Sequence, residues 1–249
     1  MTPTRVLILA GTAQARALCE ALAARADIEA VASLAGRTRE PLSLPIMTRH
    51  GGFGGVAGLA DYLARERIDL LIDATHPFAA QMSAHAAVAC EAAGVRRLVF
   101  DRDPWERQAG DDWIEVDDLD GAARALGPVR KRVFLSQGRI GVAAFKSAGP
   151  HSYVMRAVDA PEPGDLPAGC KVILGRGPFR LADEVRLLDD ESIDVVVSKN
   201  SGGATAKIDA ARARRIPVVM IRRPEPPPGT RVTALQDALD WIAAHRAAP

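Results

Sequence analysis

Short apolar runs alternate with Ala-rich amphipathic segments along almost the whole chain. The runs are too apolar for strands that keep one face in water, and the segments between them repeat apolar positions at helical spacing. This alternation indicates parallel sheets that helices cover on both faces. Strands are predicted at residues 6–9, 28–33, 70–73, 95–100, 133–135, 153–158, 172–174, 195–198 and 218–221. Helices are predicted at residues 13–25, 56–67, 79–93, 140–147, 181–189, 204–214 and 234–245.

The alternation stops and restarts near the middle of the chain. Residues 127–132 read Gly-Pro-Val-Arg-Lys-Arg, in which Gly-Pro interrupts regular structure and the basic residues favour solvent. We therefore predict an α/β protein of two Rossmann-like lobes, residues 1–128 and 129–249. Each lobe has a parallel sheet flanked by helices, and the cleft between two such lobes is a favoured place for a ligand.

Composition and charge narrow the class of protein. Of the 249 residues, 48% are hydrophobic and 25% are charged, as in ordinary globular proteins, and the formal net charge is +1. This balance gives no indication of nucleic-acid or membrane binding. Cys19, Cys90 and Cys170 are scattered, which argues against a disulfide framework and against a zinc site. The first apolar run is too short for a signal peptide or a membrane span, so we expect a cytoplasmic protein.

The loops after the strands are where sheets of this kind bind ligands. Gly11 and Thr12 follow the first strand, and a small-residue turn into a helix lets backbone N–H groups approach a phosphate. Only Gly11 matches the dinucleotide-binding glycine pattern, so a tight turn without a ligand stays open as the alternative.

The loop after the second strand bears on the choice between NAD and NADP. NAD enzymes carry an acidic residue in this region that binds the ribose 2′-hydroxyl, whereas this chain has Arg37, Thr38 and Arg39. Two arginines and a threonine suit the 2′-phosphate of NADP. The alternative is a basic loop that is merely solvated.

Two further segments of the first lobe are candidate cofactor contacts. Residues 51–55 read GGFGG and lead into a helix, and glycines leave no Cβ between the backbone and a ligand. Residues 73–79 read DATHPFA, with the proline expected in the first helical turn and Thr75 or His76 as a cap or a ligand contact. A lone histidine such as His76 is more often structural than catalytic. The predicted contacts are Gly52, Phe53, Gly54, Gly55, Thr75, His76, Pro77 and Phe78.

Three glycine-containing loops of the second lobe carry cations. One strand ends in the sequence SKNSGG, residues 198–203, which includes the only asparagine of the chain, and two other strands are followed by loops that contain arginine. Cations beside hydrogen-bond donors and glycine backbone suit carboxylates or phosphates, which predicts a polyanionic substrate. Helix capping by Ser201 is the alternative for the first loop. The predicted substrate contacts are Arg139, Arg176, Ser198, Lys199, Asn200, Ser201 and Gly202, and Lys199 is also the candidate catalytic residue.

Six segments occur in an informative order: ILAGT, GGFGG, DATHPFA, VFLSQGR, GRGPF and VSKNSGG. With them, the chain resembles the precorrin-6A reductase family over nearly its whole length. The resemblance implies reduction of one double bond of the precorrin-6A macrocycle by NADPH to give precorrin-6B, a step of cobalamin biosynthesis. It also implies a cofactor-binding first lobe and a substrate cleft between the lobes. Ala10 departs from the family, whose members often have a second glycine there, and this weakens the case for close backbone approach at that position.

The implied substrate agrees with the loops. A tetrapyrrole fringed with acetate and propionate groups accounts for Arg- and Lys-bearing loops in a chain of nearly neutral charge. Hydride transfer is the cofactor's own chemistry, which fits a chain without a recognisable nucleophile or metal motif. We further expect a hand-over of the product to the next enzyme of the corrin pathway.

Other enzyme classes lack the residues that they require. A short-chain dehydrogenase needs Tyr-x-x-x-Lys, but Tyr62 and Tyr153 are followed at that spacing by Glu66 and Ala157. The chain has no G-x-S-x-G hydrolase motif and no H-E-x-x-H metal motif. A two-lobed nucleotide-sugar transferase and a non-catalytic NADP-binding regulatory module stay open. The oligomeric state, the proton donor and the presence of cobalt in the substrate also stay open.

Overall fold

The structure, a computed structural model, describes residues 2–36 and 43–245. The chain divides into two compact units: Met1–Asp103 together with Pro224–Pro249, and Pro104–Arg223. No helix within residues 2–36 and 43–245 combines the length and the apolar character that crossing a membrane requires.

The described residues form strands and helices in alternation. The strands are β1 Thr4–Leu9, β2 Ile28–Leu34, β3 Met47–His50, β4 Leu70–Asp73, β5 Arg96–Phe100, β6 Trp113–Val116, β7 Arg132–Leu135, β8 Ser152–Ala157, β9 Lys171–Leu174, β10 Val195–Lys199, β11 Val218–Ile221 and β12 Thr230–Val232. The α-helices are α1 Ala13–Leu22, α2 Gly55–Arg65, α3 Ala80–Ala93, α4 Leu119–Ala125, α5 Leu181–Asp190, α6 Ala206–Arg214 and α7 Leu235–His245. Two short 3₁₀ helices span Val142–Phe145 and Pro163–Asp165.

Each unit contains one six-stranded sheet in which every pair of neighbouring strands is parallel. The first sheet has the order β3-β2-β1-β4-β5-β12, and the second has the order β9-β8-β7-β10-β11-β6. In the first sheet, the chain adds β2 and β3 on one side of β1. It then crosses back and adds β4, β5 and β12 on the other side. In the second sheet the same reversal lies between β7 and β10. In sheets of this kind, dinucleotides and other ligands bind at the carboxyl ends of the strands, where the order reverses.

The observed division of the chain differs from the predicted boundary after residue 128. Residues 104–128 supply β6 and α4 to the second unit, because β6 pairs with β11. The C-terminal segment supplies β12 and α7 to the first unit, because β12 pairs with β5. The Gly-Pro sequence at 127–128 is therefore a bend between α4 and β7 within one unit.

All nine predicted strands and six of the seven predicted helices are present, with ends shifted by a few residues. The helix predicted at residues 140–147 is wrong, because that segment forms only the 3₁₀ turn Val142–Phe145. The pattern missed β3, β6, β12 and α4. The three missed strands lie at sheet edges and have only three or four residues with mixed burial, so no apolar run marks them.

Helices cover both faces of the first sheet. Alternate residues of β1 point to opposite faces, so that Val6 and Ile8 pack against α1 and α7. Leu7 and Leu9 pack on the other face against α2 and α3. In the second sheet, one face carries Phe134 and its neighbours against α5 and α6. These layers leave the carboxyl edge of each sheet to its loops.

Candidate functional site

The turn between β1 and α1 is tied to the end of β4. The Thr12 hydroxyl accepts a hydrogen bond from the Ala15 N–H at 3.1 Å, as an N-cap, and donates one to the Ala74 carbonyl at 2.8 Å. Gly11 has φ +137°, and a Cβ added there would meet no atom within 4 Å. The side chain of Thr12 is thus committed to the fold, while the backbone at Gly11 faces open space at the point where the strand order reverses.

Arg49, at the carboxyl end of β3, organises the GGFGG loop. Its guanidinium donates to the Ser33 hydroxyl at 2.6 Å, to the Gly51 carbonyl at 3.1 Å and to the Gly52 carbonyl at 3.0 Å. The guanidinium carbon also lies 3.9 Å from the ring centroid of Phe53. One side chain therefore joins the ends of two strands to the glycine loop and stacks on its aromatic residue.

The GGFGG backbone has a conformation that glycine favours. Gly51, Gly54 and Gly55 have φ of +103°, +81° and +92°, which other residues rarely adopt. The loop then runs directly into α2, where Gly58 lies under the carbonyl of Phe53, and a Cβ at Gly58 would come within 1.8 Å of that oxygen. The predicted loop-to-helix arrangement is confirmed, and Gly58 is a requirement that the sequence analysis missed.

Asp73 is a buried carboxylate at the carboxyl end of β4. It is 2% exposed, and its Oδ1 accepts hydrogen bonds from the Thr75 N–H at 3.2 Å and the Thr75 hydroxyl at 2.7 Å. Its Oδ2 is buried without a hydrogen-bond partner among residues 2–36 and 43–245. The hydrogen bonds between Asp73 and Thr75 hold the turn after β4 in place beside β1.

The DATHPFA segment differs from the prediction in one respect. The N-cap of α3 is Ala79, which makes no side-chain capping bond, so neither Thr75 nor His76 caps this helix. Pro77 lies in a turn ahead of α3 and not in its first turn, because the chain first closes a turn in which His76 Nδ1 accepts from the Phe78 N–H at 3.2 Å. The cofactor contacts predicted for these residues stay predictions.

Arg37, Thr38 and Arg39 lie outside the described residues. Their predicted contact with the 2′-phosphate therefore stays a prediction. The described segment ends at Gly36, just after β2, so the three residues follow the strand that neighbours β1.

In the second unit, the loop after β7 reaches across to β10. The Ser136 N–H and hydroxyl both donate to the Val197 carbonyl, at 3.0 and 2.9 Å. Gln137 is 8% exposed, and neither atom of its amide group has a partner among the described residues. Arg139 follows in the same loop, at the point where the order of the second sheet reverses.

Asn200 fixes a distant segment to the end of β10. Its Oδ1 accepts from the Trp105 N–H at 2.8 Å, and its Nδ2 donates to the Trp105 carbonyl at 2.9 Å. The Trp105 indole N–H donates in turn to the Gly203 carbonyl at 3.0 Å. The amide of the single asparagine is therefore engaged in holding Trp105 against this loop.

The other residues of that loop differ in their access to a ligand. Ser198 is fully buried, and its hydroxyl donates to the Lys199 carbonyl at 3.2 Å. Lys199 ends β10 and is half-buried, and burial lowers the pKa of its ammonium. Ser201 and Gly202 follow, with φ of +66° at Gly202. The α6 N-cap is Thr205, so Ser201 is not the cap.

A charge cluster lies beside the loop after β9, which contains Arg176. Arg156 at the end of β8 donates to Glu184 at 2.6 Å, and its guanidinium carbon lies 3.6 Å from the Phe179 ring centroid. Lys207, in the first turn of α6, interacts electrostatically with both Arg156 and Glu184. The sequence analysis missed this cluster, although an arginine near the end of an apolar strand is the signal that could have revealed Arg156.

No group of three or more His, Cys, Asp and Glu residues that could hold a metal ion occurs in the described parts of the chain. The side chains that the two carboxyl edges do gather are mostly cations, hydroxyls and amides. Such groups suit organic anions rather than hard metal ions.

The family model described as "Precorrin-6x reductase CbiJ/CobK" matches residues 5–243. The chain belongs to this family. It is 47% identical over 249 residues to the precorrin-6A reductase of Rhodobacter capsulatus, covering 99% of this chain and 98% of that protein. It is 46% identical over 243 residues to the precorrin-6A reductase of Rhodococcus erythropolis, covering 96% of this chain and 97% of that protein.

A solved structure of CobK precorrin-6A reductase has the same fold. The TM-score is 0.93 at 46% sequence identity, and the match covers 99% of this chain and 98% of that one. The prediction of two parallel-sheet α/β lobes with flanking helices is confirmed. Membership of the reductase family identifies an oxidoreductase of cobalamin biosynthesis and favours that interpretation over a sugar transferase or a regulatory module.

Within this reductase, the predicted residues fall into two groups, one at the carboxyl edge of each sheet. Gly11, the GGFGG loop and the turn after β4 belong to the first unit. Arg139, Arg176 and the loop after β10 belong to the second. Arg49, Gly58, Arg156 and Lys207 are the residues that the sequence analysis did not single out.

Proposed function

We propose that this reductase transfers a hydride from NADPH to the macrocycle of precorrin-6A and produces precorrin-6B. The observation that carries the proposal is the first sheet. Its order reverses between β1 and β4, and glycine-bearing loops lie at the carboxyl edge beside that reversal. The names of the relatives, precorrin-6A reductases at 46–47% identity, supply the substrate.

The residues present fit a dinucleotide at that edge. A Cβ added at Gly11, Gly52 or Gly54 would meet no protein atom within 4 Å, so the backbone there is open to a ligand. Gly11 precedes α1, whose first N–H groups and positive helix end suit a pyrophosphate. Arg37 and Arg39 follow β2, where they would bind the 2′-phosphate that distinguishes NADPH from NADH.

The cofactor would supply the hydride. The protein's own task is to hold the cofactor and the substrate close together in the orientation that hydride transfer requires. In the first unit, Thr12 and Asp73 do this indirectly, because their hydrogen bonds fix the two turns beside the strand reversal. Holding reactants in a near-attack geometry and excluding water are the main contributions that a protein makes to such a transfer.

The second unit supplies the substrate contacts in this proposal. Lys199 ends the strand β10 at the order reversal of its sheet, and its half-buried ammonium with a lowered pKa suits a group that binds a carboxylate or gives up a proton. Ser198 and Asn200 have a positioning role, since the first is fully buried and the second holds Trp105. Arg139 and Arg176 extend the basic surface.

The proposal is tested by steady-state kinetics with purified protein. We expect oxidation of NADPH that depends on precorrin-6A, with a much lower kcat/KM for NADH. Arg37→Ala should weaken the binding of NADPH and change the binding of NADH little, because only NADPH carries the 2′-phosphate. Equal loss for both cofactors would contradict the assignment of Arg37. An absence of precorrin-6A-dependent oxidation in the wild-type protein would contradict the proposed function.

A further inference from the structure

The cluster around Arg156 has more cations than it needs to neutralise its one carboxylate. Arg156 is 11% exposed in its side chain, and Glu184 is 2% exposed. One oxygen of Glu184 accepts the 2.6 Å bond from Arg156, whereas Oε2 is buried with no partner among the described residues. Lys207 adds a second positive charge, so Arg156, Lys207 and Glu184 together carry one net positive charge.

The ammonium of Lys207 has no hydrogen-bond or ion-pair partner in the part of the chain that the structure describes, residues 2–36 and 43–245. Its Nζ lies 5.1 Å from the centroid of the Trp105 ring. Loss of hydration lowers the pKa of Lys207 to about 8, while Glu184 from α5 raises it and Arg156 from β8 lowers it. Lys207 is half-buried, so its ammonium combines a partial loss of hydration with access from solvent, and an entering anion would stabilise its charged form.

Aromatic rings flank these cations. The ring of Phe179 stacks on the Arg156 guanidinium at 3.6 Å, and Trp105 lies beside Lys207. Trp105 is itself held by Asn200 and by the Gly203 carbonyl, so the cluster adjoins the loop after β10.

The cluster also lies at the ligand-binding edge of its sheet. Arg156 is near the carboxyl end of β8, and Glu184 and Lys207 lie in the first turns of the helices that follow β9 and β10. In a parallel sheet the carboxyl ends of the strands and the starts of the following helices meet at one edge, which is where ligands bind. A merely structural ion pair would not require the second cation, Lys207.

We propose that Arg156 and Lys207 bind one carboxylate of the tetrapyrrole substrate, with Glu184 holding the Arg156 guanidinium in position. This inference rests on the proposed function and names a substrate subsite beyond Lys199, Arg139 and Arg176. An organic carboxylate and a cofactor phosphate share the chemistry that two such cations recognise. The experiment must therefore separate the two sources.

The test compares Lys207→Met with Lys207→Arg and with a matched control, Lys171→Met. Lys171 lies at the amino end of β9 in the same unit, where it pairs with Glu191. Equilibrium binding of precorrin-6A without cofactor and KM values for precorrin-6A and NADPH are measured from about pH 6.5 to about pH 9.5, a range in which substrate carboxylates stay ionised. Lys207→Met removes one charge-assisted contact, so it should weaken the binding of precorrin-6A by about 10-fold or more. The KM for NADPH should stay unchanged.

The pH dependence gives a readout that a structural role would not produce. Lys207 is charged below its pKa, so the affinity of the wild-type protein for precorrin-6A should fall as pH rises through about 8. Lys207→Arg stays charged over this range, so it should lose the part of this fall that comes from Lys207, and any fall that remains belongs to Lys199, whose pKa is also lowered. Precorrin-6A binding by Lys207→Met equal to that of Lys171→Met would overturn the subsite, and so would an equal pH dependence in Lys207→Arg.

Two other outcomes are distinct from these. A rise in the KM for NADPH alone in Lys207→Met would assign the cations to a cofactor phosphate and overturn the carboxylate subsite. Wild-type protein that binds precorrin-6A but does not oxidise NADPH would contradict the proposed function, while the binding constants of the variants still decide the subsite. Wild-type protein that does not bind precorrin-6A would overturn both.

Discussion

Replacement of Arg49 by alanine should weaken NADPH binding although Arg49 is not assigned a contact with the cofactor. The substitution removes the three hydrogen bonds to Ser33, Gly51 and Gly52 and the stacking on Phe53. The loop would then lose its link to the end of β2 through this side chain. Ordering residues 51–55 would then make the free energy of NADPH binding less favourable.

The magnitude follows from these contacts. A hydrogen bond to a charged group contributes roughly 1.5–3 kcal/mol when it is buried, and fixing one backbone residue costs about 1–2 kcal/mol. The bond to Gly52 is exposed and the other two are half-buried, so the total must be discounted. We expect the Kd for NADPH to rise about 10- to 100-fold, equivalent to roughly 1.4–2.8 kcal/mol.

The assay is a fluorescence titration with NADPH, paired with a thermal melt to confirm folding. Arg65→Ala is the matched control, because the guanidinium groups of Arg49 and Arg65 both lie over the Tyr62 ring, at 5.2 and 5.5 Å, but Arg65 forms an ion pair with Glu66. Arg49→Lys keeps the charge without the planar fork and should show an intermediate loss. A folded Arg49→Ala protein whose Kd matches that of Arg65→Ala would refute the reasoning.

Three further predictions concern the same two edges. Gly52→Val should sharply reduce NADPH affinity at an unchanged Tm, because its Cβ enters open space over the loop; unchanged affinity would make the loop a mere connector. Gly58→Ala should lower both Tm and NADPH affinity, because its Cβ would lie 1.8 Å from the Phe53 carbonyl; a wild-type melt and titration would show that the loop does not need this close approach. Lys199→Ala should raise the KM for precorrin-6A with NADPH affinity nearly intact, and a fall in kcat as well would add a role in chemistry. Unchanged kinetics for both substrates would move the substrate site towards Arg139 and Arg176.

The central strands of both sheets could be predicted because they are buried on both faces. β4 reads Leu-Leu-Ile-Asp and β10 begins Val-Val-Val, so their apolar runs stand out in the sequence. Edge strands do not have this property. β3 reads Met-Thr-Arg-His, and its exposed positions hide it from a search for apolar runs. The domain division was missed for the same reason, because it depends on which sheet the short strands β6 and β12 join.

The candidate site divides along a similar line. Glycine-rich loops such as residues 51–55 are visible in the sequence because their function depends on local backbone freedom. The side chains that support them are not visible, because their partners are distant in sequence. Arg49 bonds to Ser33 across 16 residues, Arg156 to Glu184 across 28, and Asn200 to Trp105 across 95. Asn200 shows the consequence: its residue type suggested ligand binding, whereas both ends of its amide hold backbone.

Isotope transfer tests the central claim most directly. The protein is incubated with precorrin-6A and NADPH that carries deuterium at the transferable position of the nicotinamide, and the product is analysed by mass spectrometry. We predict a product that has gained one deuterium from the cofactor and one proton from water, formed at a rate that matches NADPH oxidation. A product without deuterium, or NADPH oxidation that leaves the mass of precorrin-6A unchanged, would contradict the assignment of this protein as an NADPH-dependent precorrin-6A reductase.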